Sequence, residues 1–261
     1  MKLTIGWLYP DLMSTYGDRG NIICLQRRCE WRGIEVIIEK VGIEEKVGKL
    51  QECDLLFMGG AQDRQQKIAS DDLFQKKGPV IKKMIENNVP GLFICGAYQF
   101  LGNYYQPAEG ERILGLGIFD LYTQHPGFDK ERCVGNAVVK CHPEQSEGSH
   151  GILRLTPQND NYLVGFENHG GRTYLGKNVE PLGKVVVGYG NNGGDKTEGC
   201  VYKNAIGTYL HGPVLPKNPH LADWLIKKAL DKKYEKDVEL EPLDDRLEWQ
   251  AHDFVLKKLK I

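Results

Sequence analysis

The sequence predicts an α/β fold: an open, mostly parallel sheet flanked by helices and extended by antiparallel strands. Two observations carry this. Apolar runs in the first hundred residues, LTIGWLY, DLLFM and VPGLFI, are continuous instead of alternating, which is the pattern of strands covered on both faces. Between them lie polar stretches with helical spacing, giving the alternation of an α/β sheet.

Taken in order, residues 3–9 form the first strand, closed by Pro10. From Asp18 to Arg32, Ile22, Leu25 and Cys29 fall at i, i+3 and i+7, and Gly33 ends the run, so a helix is expected there. Residues 34–38 and 54–58 are the next strands, the second stopped by Gly59 and Gly60. Residues 63–87 are polar and helix-compatible, with Gly78-Pro79 predicting a break into two helices. A fourth strand over 89–94 runs into Cys95, so the order reads strand-helix-strand-strand-helix-strand-helix. From Leu114 to Leu210 the texture changes to short β-rich segments at 118–123, 133–140, 152–155, 162–167, 184–190, 200–202 and 205–210. Those strands are expected to extend the same sheet, and residues 141–151, poor in large apolar side chains, read as an exposed excursion. Two helices close the chain from about 217. The first starts at Asn218-Pro219 with Leu221, Trp224 and Leu225 on one face. The second, over 244–258, is expected to bury Leu247, Ala251 and Phe254.

With 261 residues and no convincing linker, the chain reads as one domain, 1–261. Its 34 basic and 35 acidic side chains nearly cancel, and no basic run occurs, which removes the bulk electrostatic reason to expect nucleic acid or an anionic membrane as partner. No apolar stretch reaches the roughly 18 residues that a membrane-spanning helix needs. Pro10 interrupts the N-terminal run before a secretory core could form, so a soluble, cytoplasmic protein without membrane insertion is expected. Seven scattered cysteines, an odd number, do not read as a disulfide framework.

One cysteine has an unusual setting. In GLFICGAYQFLG a strand ends at Cys95 and a helix-like segment follows Gly96. Ligands of open α/β sheets bind beyond the carboxyl ends of the strands. A thiol there is exposed on a rigid strand, the Gly96 N–H can face the reacting centre, and a helix N-terminus favours the thiolate. A buried, inert cysteine is the ordinary alternative. The strand LLFM ends in Gly59 and Gly60, where uncovered amides can complete an oxyanion hole with Gly96, and Gln99 lies one helical turn past Cys95.

At these residues the chain resembles the class I (triad-type) glutamine amidotransferases, whose nucleophile loop reads C-x-G-x-Q and whose sheet is flavodoxin-like. The segment GTYLHGP, which ends the last strand, places His211 where this family has its general base. FENHGGRTY, GYGNN and GTYLHGPVLPKN are similar to the cobyric-acid-synthase-like branch, above all to the glutaminase subunits of lipid II isoglutaminyl synthases of Gram-positive bacteria. Two departures stand out. Ala97 replaces the usual glycine of the nucleophile turn, and Pro213 occupies the position of the usual triad glutamate, so a Cys95–His211 dyad is implied, with Glu167 a candidate to orient His211.

The resemblance further implies Arg132 as a binder of the glutamine α-carboxylate, and Glu167, Asn168 and His169 as contacts to the substrate's α-substituents. The implied reaction is hydrolysis of L-glutamine to glutamate and ammonia through a Cys95 thioester. No cofactor is expected in this chain; ATP and Mg are expected on a Mur-ligase-like, ATP-dependent partner subunit. That heterodimer would use the ammonia to amidate D-glutamate of lipid II at the inner membrane face. The alternative is a stand-alone Cys-His hydrolase, a peptidase or γ-glutamyl hydrolase on the same scaffold.

Other motifs carry less. GYGNNG fits G-x-G-x-x-G but introduces no helix, so it reads as a turn, and GGDKT lacks the glycine that a P-loop requires before its lysine. Cys133, Cys141, His142 and His150 match no compact zinc spacing, and no metal is expected.

Overall fold

The computed structural model describes residues 1–14, 17–141 and 161–261. In chain order, β1 (Lys2–Leu8), α1 (Arg19–Glu30), β2 (Glu35–Val41), α2 (Val47–Gln51) and β3 (Leu55–Met58) come first. They are followed by α3 (Asp63–Asp72), α4 (Gly78–Glu86), β4 (Gly91–Ile94) and α5 (Gly96–Leu101). Next come β5 (Tyr104–Gln106), β6 (Ile113–Leu114), β7 (Leu121–Gln124), β8 (Cys133–Cys141), β9 (Tyr162–His169), β10 (Arg172–Leu175), β11 (Gly183–Val187) and β12 (Thr197–Glu198). The chain closes with β13 (Cys200–Tyr202), β14 (Ala205–Thr208), α6 (Pro219–Tyr234) and α7 (Arg246–Lys258).

The main sheet runs β13-β14-β4-β3-β1-β2, parallel except for β13. Its central strands are sealed on both faces: Leu55, Leu56, Phe57, Leu92, Phe93 and Ile94 have no exposed surface, as continuous apolar runs require. The order reverses between β1 and β3, where a doubly wound sheet opens its ligand crevice. Gly207 in β14 is needed for close packing, because a Cβ there would lie 2.1 Å from the Tyr98 ring of α5.

Several expectations are corrected. A short helix, α2, joins β2 to β3, since parallel strands need a crossover. The expected break at Gly78-Pro79 is a π-helical turn over Leu73–Lys77 that links α3 to α4. The β-rich half does not simply widen the main sheet. Only β13 and β14 do so, β14 as a parallel strand, while β10-β7-β5-β6 and β12-β11-β8-β9 form two separate four-stranded sheets. The expected strand over 152–155 and most of the 141–151 excursion lie outside the described residues. Finally, α7 does not bury its predicted face: Leu247 is 76% and Phe254 67% exposed. The helix instead docks through His252 and through Trp249, which stacks on His220 of α6 at 5.2 Å.

Candidate active site

The main sheet delivers its chemistry at the carboxyl ends of β3, β4 and β14. Cys95 follows β4 directly and starts α5 with φ 53° and ψ −105°. A non-glycine residue held there stores strain of roughly 1–3 kcal/mol, which the buried strand beneath it must support. The turn is fixed by Cys95 N donating to Thr208 O (2.9 Å) and Gln99 N donating to Cys95 O (3.0 Å). Burial pushes the thiols of Cys24, Cys29, Cys53 and Cys141 up to about 12 and that of Cys133 up to about 11, the behaviour of inert core cysteines. Cys95 alone among the seven lines the cavity described below.

His211 lies three residues beyond β14 and is 1% exposed. Its backbone is pinned to β9 by two hydrogen bonds with Phe166, of 2.7 and 3.2 Å. The imidazole lies beside Cys95, both within 3.1 Å of the point a Cβ on Gly60 would occupy, and its Nδ1 stands 3.3 Å from Asp18 Oδ1. Burial lowers its pKa, but the bonds and charges of Asp18 and Cys95 outweigh that and push it up to about 10. Asp18 has no exposed surface, and its other oxygen accepts the Gly60 N–H at 2.7 Å.

That arrangement corrects two expectations. Glu167 does not orient His211: its carboxylate accepts the N–H groups of Tyr189 (2.6 Å) and Gly190 (2.9 Å), tying down the GYGNN turn. Gly60 does not offer its N–H to the cavity, because Asp18 takes it. Its small size serves instead, since a Cβ there would lie 3.1 Å from both Cys95 Cβ and His211 Cε1. Asp18 was missed because the sequence reads it only as the start of the helical stretch; here it makes no side-chain cap bond to α1 and turns across the crevice to Gly60 and His211.

A cavity of about 540 Å³ opens beside the thiol, lined among others by Cys95, Gln99, Arg132, Asn168, His169 and Gly171. The Arg132 guanidinium is oriented by Asn168, donating from Nε (3.2 Å) and Nη2 (3.0 Å) to Oδ1 and from Nη2 to the backbone O (3.2 Å). Tyr209, also unforeseen, holds the floor. Its ring stacks on His169 at 3.7 Å, and its hydroxyl meets Gln99 Nε2 (3.1 Å) and Thr173 Oγ1 (2.6 Å). Glu198, buried beneath, accepts the Tyr209 N–H (2.8 Å) and the Thr208 hydroxyl (2.7 Å), and burial pushes its carboxyl up to about 7. His169 Nδ1 donates to Gly171 O (2.8 Å), and burial lowers its pKa.

The arrangement can present a thiol, a charged imidazole and a guanidinium to one amino-acid-sized ligand. Among the described residues no group of three or more His, Cys, Asp or Glu side chains could hold a metal ion.

Comparison with known proteins places the chain in a family. Residues 4–219 match the model of the CobB/CobQ-like glutamine amidotransferase domain. The chain is 40% identical over 259 residues to the lipid II isoglutaminyl synthase (glutamine-hydrolyzing) subunit GatD of Staphylococcus aureus, covering 98% of this chain and 96% of that protein. It is also 40% identical over 246 residues to the same subunit of Streptococcus pneumoniae, covering 94% of this chain and 87% of that one. Among solved structures, the glutaminase domain of Trypanosoma brucei CTPS superimposes with a TM-score of 0.54 at 14% identity, over 92% of this chain and 96% of that one, a likeness of fold. The chain belongs to the CobB/CobQ-like glutamine amidotransferase family.

Proposed function

We propose that this protein is the glutamine-hydrolysing subunit of a lipid II isoglutaminyl synthase. The observation that carries the chemistry is a strained Cys95 beside an imidazole that Asp18 holds at 3.3 Å, next to a cavity lined by Arg132. Glutamine enters with its α-carboxylate on Arg132, whose Nη1 is left for the ligand by the Asn168 contacts. The Cys95 thiolate attacks the side-chain amide carbon. The oxyanion is held by the Gly96 N–H at the start of α5, with the Ala61 N–H beside it in place of Gly60. His211 protonates the departing ammonia and then takes a proton from the water that hydrolyses the thioester, while Asp18 keeps its ring oriented. Gln99 and His169 form the floor on which the substrate rests.

The ammonia serves a second subunit, read as a Mur-ligase-like enzyme that supplies ATP and Mg and activates the D-glutamate carboxyl of lipid II at the inner membrane face. The 40% identity, along nearly the whole chain, to GatD subunits of lipid II isoglutaminyl synthases supports a role in a multi-subunit lipid II-amidating enzyme. No helix of the described residues is long and apolar enough to cross a membrane. A stand-alone peptidase or γ-glutamyl hydrolase would cleave conjugates without coupling to a partner. The test is to assay glutamate and ammonia release from glutamine alongside γ-glutamyl conjugates and peptides. Release from glutamine only is expected, and cleavage of conjugates at comparable rates overturns the reading.

A further inference from the structure

Three loops meet beside the Cys95 cavity. His125 follows β7, Arg132 precedes β8 and Gly170 joins β9 to β10, and all three residues line the cavity. His125 is half-buried, and its backbone N–H donates to Gln106 O at 2.8 Å. The loop then turns back at Gly127, whose φ of 107° suits a glycine, so that the Gly127 N–H donates to His125 Nδ1 at 3.1 Å. A ring nitrogen that accepts carries no proton, which puts the imidazole proton on Nε2. Phe128 packs its ring against the imidazole with centroids 5.7 Å apart. The orientation of His125 is therefore set by its own loop.

Its Nε2 and Arg132 Nη1 converge on Gly170: a Cβ on that glycine would lie 2.9 Å from the first and 3.2 Å from the second. Arg132 Nε and Nη2 are spent on Asn168, which leaves Nη1 facing the same point. Two donors that near one point can reach the two oxygens of a single carboxylate, and the bare glycine leaves it room. Arg132 is exposed, so its pairing with a carboxylate is weakened by solvent, and a second donor of fixed direction beside it compensates.

We propose that His125 is a substrate-binding residue whose Nε2–H donates to the α-carboxylate of glutamine beside Arg132, selecting the free amino acid over glutamine with its α-carboxyl tied up in a peptide bond. This rests on the glutaminase reading above. The experiment measures steady-state ammonia release by the complete two-subunit complex from L-glutamine and from 4-aminobutanamide, which is glutamine without its α-carboxyl group. His125→Ala should raise KM for glutamine about ten-fold with kcat within about two-fold. His125→Gln, which sets an amide N–H near the place of Nε2, should recover most of that loss. For 4-aminobutanamide, read as a substrate or as a competitor of glutamine, neither variant should change the constant by more than about two-fold. A glutamine KM that stays within two-fold in His125→Ala overturns the proposal. So does an equal rise for both compounds, since His125 would then only shape the wall. An unaltered complex that releases no glutamate from glutamine overturns the glutaminase reading, and this proposal with it.

Discussion

Asp18 sets the charge of the reacting centre. Because the folded-state value of His211 is raised to about 10, its imidazolium contributes stability that is fully present below the unfolded value of roughly 6.5 and is lost as pH rises through about 10. That proton is the one the leaving ammonia takes, so the alkaline limb of glutaminase activity should lie near that value. Asp18→Asn should move the limb toward neutrality and lower kcat by roughly 10²- to 10⁴-fold with the circular dichroism spectrum unchanged; an unshifted limb would show that Asp18 only fills space. Arg132→Lys should raise KM about ten-fold or more with a smaller effect on kcat, because a lysine cannot make the forked contact; steady-state kinetics measures the split. Cys95 and His211 were legible because strand-Cys-Gly-helix and a histidine ending the last strand are local patterns. Asp18 was not, since its meaning depends on an imidazole 193 residues away in sequence. Glu167 misled for the converse reason: it neighbours plausible ligand residues but spends its carboxylate on a turn.

At the scale of elements, β14 and the segment after it act as a bracket between sheet and site. Tyr209 links Gln99, Thr173 and His169 to the backbone that carries His211. Tyr209→Phe leaves those buried polar partners short of one bond and should cost about 1–3 kcal/mol, measured by urea unfolding, with activity falling alongside. For α7 the apolar spacing was readable but not the face it buries. Stacking of Trp249 on His220 fixes the helix with the Leu247 and Phe254 side outward, an outcome decided by residues on α6. Leu247→Ser and Phe254→Ser should therefore change stability by less than about 0.5 kcal/mol, whereas Leu225→Ala in the core should cost about 2–5 kcal/mol.

Over the whole molecule, the parallel sheet was legible because buried strands announce themselves by continuous apolar runs. The division of the β-rich half into two further sheets was not, since pairings such as β10 with β7 join segments about fifty residues apart and follow no local signal. Global stability should carry an acid signature from His220, whose ring nitrogens are both buried and whose pKa burial lowers to about 3. The unfolded chain takes up that proton first, so stability is full above roughly pH 6.5 and declines by up to about 1.4 kcal/mol per pH unit from there toward 3. His220→Phe should flatten this slope in urea titrations between those limits. The most direct test of the catalytic account is mass spectrometry of the protein acid-quenched within milliseconds of mixing with glutamine. The expected result is an adduct with the mass of glutamine less ammonia on the peptide carrying Cys95, absent in Cys95→Ala, which should also release no glutamate. Glutamate release by Cys95→Ala, or an adduct on any other cysteine, would contradict it.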